Sequence, residues 1–172
     1  MREVGSKYWE GLHELMDYLV DDGCKMETVV EIGTHLGESA VILAKYFDRV
    51  ITYDPWEPKF LATYGYTVEQ VEEIFARTTL TESNIFHYRE PSLVGSTDYA
   101  ERTVDFVYID GWHRVIPVVV DIMAWLPKIK RPGWIGGHDY TTHDYSEVIP
   151  GVMYTLGEPD ATFSDTSWVK KL

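Results

Sequence analysis

The chain has a single cysteine, Cys24, in 172 residues, which excludes an internal disulfide framework and suits a reducing compartment. No apolar run approaches the roughly 20 residues that span a bilayer. The opening MREVGSKYWEGL lacks the apolar stretch of a secretory signal. A cytoplasmic protein without membrane contact is therefore expected. Positive charge is scarce as well: 15 Lys and Arg stand against 28 Asp and Glu, a net charge of −13. Nucleic-acid backbones and anionic membranes both reward positive charge, so neither is an expected partner. The small basic cluster Lys128, Lys130 and Arg131 reads as a helix C-terminus, where cations complement the dipole. Repeats, low-complexity tracts and domain linkers are missing too, and the length predicts one domain over residues 1–172.

What is present is an apolar fraction of 45%, enough for a packed core, arranged in regular alternation. Ser6 followed by Tyr8, Trp9, Leu12, Leu15, Met16 and Leu19 predicts a capped helix that Gly23 ends. Residues 28–33 read as a buried strand, 37–47 as a helix and 50–54 as a second strand. Residues 55–84 are too long for a plain loop. Thr67 and Gln70 form a capping pattern ahead of Val68, Val71, Ile74 and Phe75, which predicts a helix over 67–77. Residues 85–88, 104–109 and 134–137 complete five strands, with helices over 115–126 and 150–156 and a turn RPG at 131–133. Residues 161–164 and 167–171 suggest a terminal hairpin. The pattern predicts an α/β fold of Rossmann-like type. Its sheet is doubly wound and mostly parallel, with helices on both faces and a C-terminal antiparallel hairpin.

Ligands of such sheets bind at the carboxyl ends of the strands, and there the polar residues gather. Glu31 to Thr34 follow the first strand, Asp54 the second, and Glu90 and Ser92 the third. Asp110 and His113 follow the fourth, His138 and Asp139 the fifth. Gly33 and Gly37 let a backbone approach a ligand closely. Asp54 is placed to accept both hydroxyls of a ribose, so a nucleoside-bearing cofactor is expected. The turn GTHLGE lacks the GxGxxG that seats a pyrophosphate, which weighs against a nicotinamide-dependent oxidoreductase. Blander readings stand beside these. The glycines also suit a plain strand-to-helix turn, Asp110 suits a helix cap, and His113 suits a locally bonded helix start. His138 suits a satisfied buried polar group. Trp112, Trp125 and Trp134 read as core or rim packing.

The segment EIGTHLGESA at 31–40 resembles the first motif of class I S-adenosylmethionine-dependent methyltransferases, with Asp54 in the place of their ribose-binding acid. DFVYIDGWHRVIPVVVDIMAWLPKIKRPGWIGGHDY, at 105–140, looks like the second half of one branch. That branch holds the metal-assisted catechol-type and the macrocin-type sugar O-methyltransferases. The IDGxH and GHDY signatures carry the likeness, which covers roughly residues 28–140. It implies that Gly33, Thr34 and His35 lie against the methionine portion and ribose of S-adenosylmethionine. Glu31 would bond near the amino group, Asp54 would hold the ribose, and Trp56 would cover the adenine. Glu90 and Ser92 fall at adenine-contacting positions, although HYREPS departs from the usual small residues. Asp110 would touch the cofactor and, with Asp139, hold a divalent cation, Mg²⁺ by type. His138 stands where relatives often carry another oxygen donor to the metal, and His113 would be the general base. The activity implied is O-methylation of a small-molecule hydroxyl, on a sugar or a phenol, in a chain that can form a homo-oligomer. A non-catalytic cofactor-binding scaffold of the same fold is the alternative.

Overall fold

A computed structural model describes residues 7–172; the expected Ser6 cap lies outside the described residues. The chain runs α1 (Glu10–Asp21), β1 (Thr28–Ile32), α2 (Glu38–Ala44), β2 (Arg49–Tyr53), α3 (Pro58–Thr63) and α4 (Val68–Thr78). It continues with β3 (Ile85–Tyr88), α5 (Ser92–Gly95), β4 (Val104–Ile109), α6 (Val115–Trp125), β5 (Ile129–Gly137), α7 (Val148–Thr155), β6 (Ala161–Thr162) and β7 (Trp168–Lys171). The seven strands form one sheet in the order β3-β2-β1-β4-β5-β7-β6. The first five are parallel, and β7 runs antiparallel to both β5 and β6. Chain order reverses between β1 and β4, which opens a crevice at their carboxyl ends. None of the described helices is long and apolar enough to cross a membrane.

Both sheet faces are covered, so the inner strands are buried along nearly their whole length instead of alternating buried and exposed positions. Val29, Phe106 and Trp134 pack under α1 and α2, while Val30, Val107 and Ile135 pack under α6 and α7. In α1, Leu12, Leu15, Met16 and Leu19 recur at helical spacing and are fully buried. Each contributes about 1.5–3 kcal/mol by leaving water. Residues 55–84 do contain the capped helix: Gln70 N donates to Thr67 Oγ1 and Thr67 N donates to Gln70 Oε1. Two short helices escape the sequence pattern. In α3 only Leu61 is buried, so no period is visible, and α5 is a single turn. Strand β5 also begins at Ile129, before the expected turn. Val104 pairs with Ile129 and Phe106 with Trp134, so a bulge absorbs the RPG residues within the strand.

Candidate functional site

Two loops meet at the crevice because Gly33 has no side chain. Its φ is +88°, and a Cβ there would stand 2.3 Å from the Asp110 carbonyl oxygen. Gly37, at φ +83°, caps α2, and a Cβ there would press on the Phe75 ring at 2.9 Å. Asp54 ties the β1 and β2 loops together. Its Oδ2 accepts from His35 N at 3.0 Å and its Oδ1 from Trp56 N at 2.9 Å. These bonds hold His35 and Trp56 at positive φ, +45° and +46°. Burial raises the Asp54 carboxyl pKa, and the two amides oppose it. Each carboxylate oxygen keeps a further lone pair for a ligand donor.

Below this loop, Glu31 is fully buried and accepts from the Ser39 hydroxyl through Oε1. Its Oε2 and the Thr34 hydroxyl are buried without a hydrogen-bond partner. Burial first, then the neighbouring Asp110 and Asp54 charges, push the Glu31 carboxyl up to about 8 against the lowering effect of the nearby Ser39 and Thr34 hydroxyls. A glycine cradle with an acid above that keeps free lone pairs, and a buried carboxyl and hydroxyl below, fits an adenosyl cofactor with a ribose and an ammonium group.

The adenine side is a correction. Trp56 is 4% exposed, its ring stacked on His87 at 4.2 Å and edge-on to Phe75 at 5.5 Å. Its Nε1 donates to the His35 carbonyl at 3.2 Å. The ring serves the core under α4 and is not available to cover a base. Ser92 is buried at the start of α5, and its hydroxyl donates to Asp121. The Glu90 side chain is half-buried, with no hydrogen-bond or ion-pair partner among the described residues.

At the tips of β4 and β5, Asp110, His113 and Asp139 converge, with one ligand atom from each inside 4.8 Å of the others. His113 Nε2 lies 3.0 Å from Asp139 Oδ2 and 3.4 Å from Asp110 Oδ1. Burial lowers the His113 pKa, but the two carboxylates outweigh it and the net shift is upward. Asp139 sits at φ +58°, and its carbonyl accepts from the Ser146 hydroxyl at 2.6 Å. Asp110 does not cap α6. Glu147 does that from across the site: its Oε2 takes Val115 N at 3.1 Å, its Oε1 takes the Arg114 guanidinium at 3.1 Å, and its N–H donates to the His113 carbonyl. The two carboxylates fit a divalent cation, and the imidazole lies within reach of both.

His138 is not part of that cluster. It lies on the α1 side of the sheet, 5% exposed, near the Tyr8 and Trp9 rings. Its Nδ1 is 3.2 Å from Asp139 Oδ2 and its Nε2 4.0 Å from Asp165 Oδ2. Burial lowers its pKa, yet Asp139, Asp110 and Asp165 together drive it up to about 9. The residue expected as a ligand thus touches Asp139 from outside the cluster of Asp110, His113 and Asp139. Asp165, from the β6–β7 turn, also accepts from Leu12 N at 2.7 Å. Sequence reading missed Glu147, Asp165 and Asp121, because no local pattern marks partners that lie so far apart along the chain.

Residues 30–140 match the family model described as "Methyltransferase domain", which is most of the chain. The chain belongs to this methyltransferase family. An uncharacterised mimivirus protein, R132 of Acanthamoeba polyphaga mimivirus, is 26% identical over 141 residues, spanning 78% of this chain. This methyltransferase domain covers 61% of the length of that relative. Among solved structures, a candidate rRNA methylase from Clostridium thermocellum superposes with a TM-score of 0.65 at 16% identity, over 95% of this chain and 98% of the other. CalS11, a TDP-rhamnose 3′-O-methyltransferase of calicheamicin biosynthesis, gives 0.64 at 12% identity, over 92% and 77%. At such identities the likeness to solved structures is one of fold.

Proposed function

We propose that this methyltransferase domain transfers the methyl group of S-adenosylmethionine to a hydroxyl of a small molecule, a sugar or a phenol, assisted by a divalent cation. The observation that carries the reading is the convergence of Asp110, His113 and Asp139 beside the Gly33–Asp54 cradle. Asp54 accepts the ribose hydroxyls, and Glu31 faces the positive methionine end. Asp110 and Asp139 would hold the cation, which when bound would lower the pKa of the acceptor hydroxyl and fix its orientation. His113 takes the hydroxyl proton at Nε2, the atom already turned toward both carboxylates. In the displacement the new C–O bond forms as the C–S bond breaks, and proximity supplies much of the acceleration. The acidic surface favours a small neutral acceptor over RNA. A homo-oligomer is compatible with this reading.

Calorimetry and a transfer assay test it. S-adenosylhomocysteine should bind, and Asp54→Ala should weaken binding at least about tenfold by removing a charge-assisted acceptor. NAD binding with equal affinity would overturn the cofactor. EDTA should abolish transfer, and Mg²⁺ or Mn²⁺ should restore it; full turnover in chelator would remove the metal from the scheme.

A further inference from the structure

Helix α6 is built inside out. Its sequence VIPVVVDIMAW contains one charged residue, Asp121. Ile116, Val120 and Met123 face solvent at 75%, 38% and 58% exposure, while Asp121 turns inward and is only partly exposed. Its Oδ1 accepts from Ser92, at the start of α5 after β3. Its Oδ2 lies toward Gly111, just after β4, where an added Cβ would stand 3.8 Å from Oδ2 and 3.4 Å from Ile32 Cγ2. The carboxylate therefore opens onto the space framed by the ends of β1, β3 and β4, on the crevice side of the sheet. No described group donates a hydrogen bond to Oδ2, and no cation pairs with it. Burial with only the Ser92 hydroxyl to offset it holds the carboxyl up to about 6. Oδ2 is therefore free to accept from a donor that enters the crevice.

We propose that Asp121 reads the base of the cofactor: Oδ2 accepts from the exocyclic amino group of adenine, with Ser92 orienting the carboxylate and Gly111 leaving room for the ring. The crevice would then select a 6-amino over a 6-oxo purine, because a carbonyl oxygen there would face a carboxylate. This rests on the S-adenosylmethionine reading and extends it to a specificity-determining residue.

The test is calorimetric binding of S-adenosylhomocysteine and its 6-oxo counterpart, S-inosylhomocysteine, to the full chain. The wild type should prefer the amino form at least about tenfold, the scale of one charged hydrogen bond. Asp121→Asn keeps the shape and the Ser92 bond while offering an amide N–H to the 6-oxo group. It should lose amino-form affinity and bring the two ligands within about threefold. Gly111→Ala meets only ordinary contacts within the protein, so its melting temperature should hold while both ligands bind more weakly. An unchanged preference in Asp121→Asn overturns the assignment and leaves Asp121 as a lock between α5 and α6, and undiminished binding in Gly111→Ala removes the ring from that space. Failure of the wild type to bind either ligand overturns the cofactor reading itself, and this inference with it.

Discussion

The substitution Glu31→Gln should stabilise the protein at neutral pH while weakening its cofactor binding. The Glu31 carboxyl is raised from 4.5 to about 8 by complete burial. A carboxyl that stays protonated in the fold but ionises when unfolded makes stability fall as pH rises between those values. At 1.36 kcal/mol per unit, the full loss is up to about 5 kcal/mol above pH 8, and about 3 kcal/mol of it is present at pH 7. The glutamine amide does not titrate, and its carbonyl oxygen can still accept from Ser39. Whatever constant penalty the amide brings, the stability difference between variant and wild type should therefore grow by about 3 kcal/mol from pH 4.5 to pH 7. His138 and Asp121 titrate in both proteins and cancel. Urea unfolding at several pH values reads this directly. With a slope of about 2 kcal/mol/M, the midpoints should move apart by roughly 1.5 M. Parallel pH profiles would refute the claim that Glu31 is held uncharged. On the proposed cofactor reading, the same variant should bind S-adenosylhomocysteine several-fold more weakly, since an amide that cannot ionise replaces an acid able to do so as the ammonium group arrives.

Other consequences follow from the same geometry. Gly33→Ala forces a Cβ to 2.3 Å from the Asp110 carbonyl at φ +88°. It should cost roughly 2–4 kcal/mol and remove ligand binding, and a melting temperature equal to wild type would contradict this. Trp56→Ala empties a core site and should cost about 3–5 kcal/mol, seen as a melting point lower by roughly 10 °C. Weaker cofactor binding without loss of stability would restore Trp56 to the adenine. Asp139→Asn should reduce Mn²⁺ affinity at least about tenfold in calorimetry, as loss of a charged ligand does; unaltered affinity would leave Asp139 without a metal role.

The strand tips could be read from the chain because their signals are local. Apolar runs ending in Asp54, Asp110 and Asp139 mark the carboxyl edge. Thr67 with Gln70 announces α4, and Gly33 followed by Gly37 announces the tight loop after β1. What failed depends on partners distant in sequence. An aromatic residue two positions after Asp54 looks like a cover for a base, until α4 folds over it and Phe75 and His87 enclose the ring. Asp110 looks like a cap for α6, until Glu147 arrives from beyond β5 and takes the helix N-terminus.

Sequence alone thus determined the β/α alternation, the glycine loop and which acids stand at the sheet edge, since periodicity and turn chemistry act over a few residues. Tertiary structure decided which way the side chains there face. It set His138 behind Asp139, joined Asp165 to the start of α1 across 153 positions, and turned the one charge of α6 inward. The physical reason is that burial and electrostatic pairing are properties of neighbours in space, and the fold chooses those neighbours.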